Sequence, residues 1–392
     1  MNYKSTYSKL LFVALLLTLS GTPLSSTTWY VDGVHGSNGN NCKSPTTACK
    51  TIGHAIALAH SGDTVMVAPA TYTENLTISI SLKVLGAGAS TTIVDGGGRA
   101  TVVTISGAGA NVTLSGLTIT HGFSAQGGGV NNRGTLTVKY STISGNAGHC
   151  VSFSHLGCPA EGGGIYNTGT LTIIASTLIG NSESSGGGGV YTAYSSGGGI
   201  FNLGGTVAII NSTLSGNTAT ACCAIANISS DGGGVSNNSG GKITISNSTL
   251  SGNAAKIRFG YGTAHGGGIS GPATLQNSIV ANNSGGNCSG MMISNGYNMS
   301  SDATCTFSNH GDRDNIDPKL GPLQYNGGPT QTMALPSGSP AIDAGNPSGC
   351  TDGLGHLLTT DQRGYPYRRP DSEDKTDPKP RCDMGAYERQ SD

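Results

Sequence analysis

Five residues stand immediately before glycine triplets in this sequence: Gln126, Glu161, Ser196, Asp231 and His265. Two carboxylates and an imidazole are the residue types of general acid–base hydrolysis. The triplets begin at Gly127, Gly162, Gly197, Gly232 and Gly266. If each interval is one layer of a stack of strands, Glu161 and Asp231 lie two layers apart, roughly 9–10 Å at the strand spacing. That is near the upper end of the about 6.5–9.5 Å separation of an inverting carboxylate pair. His265 would then lie one layer beyond Asp231. The other reading of this column is a row of polar residues at loop corners.

A second set of residues points to binding. With Ile165 and Ile200 turned inward, strand alternation turns Tyr166 and Phe201 outward at matched register. Tyr191, Tyr194 and Tyr261 fall on neighbouring segments, and five such rings could stack against sugar rings. Aromatic pairs on one face also stabilise adjacent strands, so both readings stand open. Between Thr101 and Ser300 the acidic residues are Glu161, Glu183 and Asp231. That is a small set for chemistry that needs several carboxylates to hold calcium.

These residues must be positioned by a repeat. "GGGVNN", "GGGIYN", "GGGIFN", "GGGVSN" and "GGGISG" are each followed in phase by a second marker. The second markers are "STISGN" at Ser141, "STLIGN" at Ser176, "STLSGN" at Ser212 and Ser248, and "SIVANN" at Ser278. A disordered Gly/Ser linker has no reason to keep two markers in phase. Between them lie alternating runs such as "TLTV", "TLTI" and "KITI", the signature of strands with one buried face. Three short strands per repeat predict an all-β fold, a parallel β-helix in which each repeat stacks on the last. Val130, Ile165, Ile200, Val235 and Ile269 form one inward column, and Leu136, Leu171, Val207 and Ile243 another. Asn132, Asn167, Asn202 and Asn237, with Asn146, Asn181, Asn217 and Asn253, should form amide ladders from layer to layer. Each repeat is longer than a plain coil, so the surplus between "GN" and "GGG" is expected as loops lined up along one edge.

The chain has 392 residues, 64 of them Gly, with 10% charged residues and a net charge of −1. So weak a charge provides no basic field for nucleic acid or an anionic membrane. Lys4 and Lys9 before "LLFVALLLTL" read as an export signal over residues 1–26, too short an apolar run to span a bilayer. Ten cysteines suit an oxidising compartment. The candidate pairs are Cys42 with Cys49, Cys288 with Cys305, Cys350 with Cys382, and Cys150 with Cys158. Adjacent Cys222 and Cys223 are awkward to pair, and connectivity stays open from sequence. In "CKTIGHAIALAHSGD" the apolar positions Ile52, Ala55, Ile56 and Ala59 predict a capping helix that stops near Gly62.

From Trp29 to about Gly98, "WYVDG" through "TTIVDGGG" resembles the opening of secreted right-handed β-helix proteins of the pectin-lyase-like superfamily. The repeats resemble those of polymorphic outer-membrane proteins, departing from "GGAI" as "GGGI" and placing Leu214 where Phe is usual. "DPKLGPLQYNGGPTQTMALPSGSPAIDAG", "TDQRGYPYRR" and "CDMGAYE" resemble the choice-of-anchor Q module, which in its family ends a secreted β-helix. The resemblances imply an export segment at 1–26, a cap at 27–62, a right-handed parallel β-helix at 63–304 and the module at 305–392. Asp361, Arg363, Asp383 and Glu388 are its expected polar heart, as an ion-pair network or a calcium site. The sequence ends soon after Glu388, so release or retention by another contact is the expectation. The combined expectation is an exported, monomeric, non-catalytic protein that needs no cofactor, acting in surface adhesion, extracellular structure or glycan binding. Fold kinship makes a polysaccharide lyase or glycoside hydrolase the alternative.

Overall fold

A computed structural model describes residues 26–151, 160–186, 192–224, 227–370 and 381–390. The export segment expected over 1–26 lies outside them, apart from Ser26.

The chain is a right-handed parallel β-helix. Three long parallel sheets of ten, nine and eight strands run along its axis, and consecutive repeats supply consecutive strands of each. Right-handed crossover is the rule for such connections. In the ten-stranded sheet, Val65, Val84, Leu114, Val138, Ile173, Ile209, Ile245 and Leu275 fall in register as one buried column. The column Val130–Ile165–Ile200–Val235–Ile269 does the same in the eight-stranded sheet. One apolar cluster fills the interior from Trp29 to Phe307. No single repeat could enclose these side chains, so each layer is stabilised by its neighbours.

Amide ladders satisfy the turns. Asn132, Asn167 and Asn202 each donate through Nδ2 to the Oδ1 of the next asparagine, at 2.7, 2.7 and 2.9 Å. Asn146, Asn181 and Asn217 do so at 2.9 Å each, and this ladder continues past Asn253 to Asn283 and Asn287. At the triplets, Gly162 and Gly197 have φ of +74° and +72°. The next glycines, Gly163 and Gly198, lie so close to the backbones of Ser182 and Thr218 that a Cβ would collide.

Both ends of the core are covered. The front helix spans Ile52–Leu58 and buries Ile52 and Ala55. It stops short of the predicted Gly62: Ala59 is already extended, and Gly62 makes the later turn into strand Thr64–Val67. At the rear, Cys288, Cys305 and Phe307 close the apolar cluster.

The surplus segments differ from the expected loops. Each runs outward as one strand and back as another, and these strands pair with their counterparts in adjacent repeats. The results are two four-stranded parallel sheets, an outgoing one and a returning one. They pack face to face as a fin along the helix, enclosing Ala193, Ala221 and Ile228. Short side chains in "SESSG", "TATA" and "NISSD" permit the close approach. Serines join the sheets: Ser195 Oγ accepts from Thr220 N at 3.1 Å, and Ser230 Oγ donates to Ala219 O at 2.9 Å. Polar, glycine-rich composition hid this second stack from strand patterns built on apolar alternation.

The C-terminal segment lies along the side of the nine-stranded sheet. Thr177 Oγ1 donates to Gln331 O, Asn211 Nδ2 to Thr360 O, Asn247 Nδ2 to Thr351 O and Asn277 Nδ2 to Asp383 O. One strap thereby binds four successive layers. Disulfides join Cys42 to Cys49, Cys288 to Cys305, Cys350 to Cys382 and Cys222 to its neighbour Cys223. Cys150 is also disulfide-bonded; Cys158 lies outside the described residues.

Candidate functional site

The fin carries the residues singled out for chemistry. Its returning sheet comprises Ala160–Glu161, Thr192–Ser196, Asn227–Asp231 and Gly262–His265. Their last residues pair in register as Glu161, Ser196, Asp231 and His265, with Gln126 bridged to Glu161 one layer earlier. Glu161 and Asp231 are thus separated by the Ser196 layer, about 9.6 Å at two strand spacings.

Their partners are modest. Gln126 Nε2 donates to Glu161 Oε2 at 3.1 Å, and Ser229 Oγ donates to Asp231 Oδ2 at 2.6 Å. Burial raises the Glu161 carboxyl above its usual range against the pull of the Gln126 hydrogen bond. Glu161 and Asp231 are each partly covered at the root of the fin, whereas His265 is exposed.

Glu183 belongs to a different face. It sits on the outgoing strand Ser182–Gly186, in register with Gly148 on one side and Ala219 on the other. Its side chain points into the fin, 1% exposed, with the carboxylate occupying the space that a Cβ on Gly148 would need. Oε1 accepts from Ser184 N at 3.1 Å, and Oε2 is buried with no hydrogen-bond partner. Burial holds this carboxyl well above the ordinary carboxylate range, and the charge of Glu161 pushes the same way. The sequence marks Glu183 only as a rare acid; its burial follows from strand alternation in a segment expected to be a loop.

The aromatic residues separate into two groups. Tyr166 and Phe201 pair in register and stack at 5.8 Å between centroids with planes 24° apart. They do not form the open platform expected, being 5% and 1% exposed. Each ring follows a positive-φ glycine corner at the fin's root, and Asn131 Nδ2 closes onto Gln126 O one layer away. The rings fill this corner. Burial raises the Tyr166 phenol above its usual range, with Glu161 adding to the effect.

Tyr194 and Tyr261 remain open, 45% and 97% exposed. They border a shallow trough of about 350 Å³ on the outer face of the returning sheet, floored by Asn227, Ser229 and Thr263. Tyr194, Ser229 and Thr263 form one register column, and Tyr261 precedes the strand of Thr263. The rings therefore flank two strand spacings, about 9.6 Å. Tyr191 lies outside the described residues. Beside the trough, "KIRFGYG" also exposes Phe259 at the fin's tip; its i, i+2 aromatic pair with Tyr261 was the available signal.

The C-terminal polar cluster is an ion-pair network. Arg363 is held by Asp361 at 2.8 Å and sandwiched between Tyr367 and Tyr387, 3.7 and 3.8 Å from the ring centroids. Arg369, not singled out from sequence, pairs with Glu388 at 2.8 Å and donates to Asn211 Oδ1 at 3.0 Å. Asp383 accepts from Asp343 N and Arg389 N. Asp361 accepts from Arg363 N and Glu388 N. N–H donors thus occupy the oxygens a calcium ion would need, so this set does not fit a cation. Burial raises Asp383 to about 6 and raises Glu388 as well, against the attraction of Arg369.

No family model and no curated protein matches the sequence. Among solved structures, the chain is similar to a pectin methylesterase from Erwinia chrysanthemi. That match has 13% identity and a TM-score of 0.35, covering 68% of this chain and 81% of that one. It is similar to a carrot pectin methylesterase at 12% identity and a TM-score of 0.32, covering 70% and 85%. It is also similar to pectate lyase Pel9A at 15% identity and a TM-score of 0.31, covering 93% and 97%.

Proposed function

We propose that this protein is a non-catalytic glycan-binding β-helix acting outside the cell, in adhesion or in an extracellular matrix. The observation that supports this reading is the trough between Tyr194 and Tyr261. Two exposed rings flank hydroxyl and amide groups on a parallel sheet, and sugars present apolar ring faces edged by hydroxyls. The disulfides fit an oxidising compartment. Among the described residues no helix is long and apolar enough to cross a membrane.

Binding is favoured over hydrolysis by the carboxylates themselves. Glu183, the third acid of this region, is sealed inside the fin and unavailable to Glu161 and Asp231. The test is retention on immobilised neutral and uronic polysaccharides, run beside a depolymerisation assay. Tyr194→Ala and Tyr261→Ala should each weaken retention about tenfold, from roughly 1.4 kcal/mol of lost stacking. The thermal transition should not move, because both rings are exposed. Depolymerisation that is abolished by Glu161→Gln and Asp231→Asn would overturn the reading.

A further inference from the structure

The fin ends before the helix does. Its outgoing sheet finishes with Ala254–Ile257 and its returning sheet with Gly262–His265. In the next repeat the chain turns back at Ser284–Gly286 without building another fin layer. It meets the outgoing sheet only at the base, where Ala255 N donates to Ser284 O at 2.9 Å. Backbone groups in a parallel ladder alternate sides, and Arg258 N points back to Ala221 O. The N–H and C=O of Ile257 therefore face forward, beyond the last strand, as an unpaired edge.

A notch of about 730 Å³ opens there, with Ser284 and Gly285 as its floor and Ala255, Ile257, Gly262 and Ala264 on its walls. Among the described residues its rim carries the charged side chains Lys256 and Arg258 and no acid. The small walls leave room for side chains of an added strand. The cations disfavour a second copy of this chain, which would bring the same two charges to the same edge.

We propose that this uncovered layer captures an extended acidic peptide segment of a protein partner, which pairs with the forward N–H and C=O of Ile257, beyond the Ser284 contact, and so continues the outgoing sheet. Backbone pairing would supply affinity, the notch would take alternate apolar side chains, and Lys256 and Arg258 would select acidic residues on the rim. This site adjoins the tyrosine trough, with Gly262 lining both, but its pairing groups face the missing next layer, and it stands whether or not the trough binds glycans.

The test uses the full chain and two fluorescent probes of strand length, one alternating Glu and Val, the other Lys and Val. The acidic probe should bind at least about tenfold more tightly than the basic one, and added salt should narrow the gap. Lys256→Glu with Arg258→Glu should reverse the order. Ile257→Pro removes the forward N–H, so it should abolish binding, whereas Ile257→Val keeps that N–H and the packing on the Ala193, Ala221 and Ile228 cluster and should bind as the wild type does. Amide exchange at Ile257 should slow in the presence of the acidic probe. Failure of both probes to bind would overturn the proposal, as would binding indifferent to the charge reversal or to Ile257→Pro. So would self-association through this edge, or capture of anionic polysaccharide in place of the acidic probe.

Discussion

Glu183 offers the sharpest test of the fin, because a buried acid with an unpaired oxygen must oppose the packing around it. Glu183→Gln keeps the volume and removes the titration. The native fin keeps the Glu183 proton at pH values where the unfolded chain has lost it. The wild type is therefore most stable relative to the variant below the ordinary carboxyl range. It loses ground as pH rises from that range through the raised native value. Each pH unit in this window costs about 1.4 kcal/mol. Leaving Oε2 unsatisfied adds about 1–3 kcal/mol that a well-placed amide could recover only in part. The strain is local, so the fin should open before the helix melts. The assay is amide exchange of the peptide covering Ser182–Gly186, comparing wild type and variant at each pH so that intrinsic exchange cancels. The wild-type to variant rate ratio should grow about tenfold per pH unit across the window. A ratio constant between pH 4 and 8 would refute a buried, protonated Glu183.

Other consequences lie in the ladders and the strap. Asn181 accepts from Asn146 and donates to Asn217 Oδ1 and Ile143 O, all at 2.9 Å. Asn181→Ala should therefore cost about 3–5 kcal/mol by leaving buried partners orphaned, read as a lower thermal midpoint. Arg369→Ala should cost about 3–5 kcal/mol by leaving the buried Glu388 carboxyl and Asn211 Oδ1 without their donor. It should also release the C-terminal strap to proteolysis between residues 323 and 369 before the helix itself is cut.

The main coil was legible because its signals are apolar and periodic. Val130, Ile165, Ile200, Val235 and Ile269 fix both inward face and register, since a one-residue slip would expose the whole column. The corner column from Gln126 to His265 followed from the same arithmetic. Alternation likewise turned Tyr166 and Phe201 outward from the coil, but it could not say what stood beyond. The fin rests on Ala, Ser and Gly meeting across a narrow gap, a pattern that reads as loop in one dimension. The lateral course of the strap depends on Asn211, Asn247 and Asn277 at turns of positive φ, and nothing local names their distant partners.

The placement of the two stacks bears on where binding can reside. In a repeat array, each layer is stabilised by the layers beside it. Over the nine-stranded sheet the strap adds contacts that skip layers, tying Thr177, Asn211 and Asn247 through residues 331–360. Among the described residues no such strap crosses the fin, and its enclosed cluster is Ala193, Ala221 and Ile228. It is also where the exposed tyrosines, the tip Phe259 and the bare edge at Ile257 gather. The strapped coil therefore holds its shape independently of the fin. The fin's final layer lacks a neighbour on one side, so part of the stabilisation each earlier layer receives from the next is left for a ligand to supply.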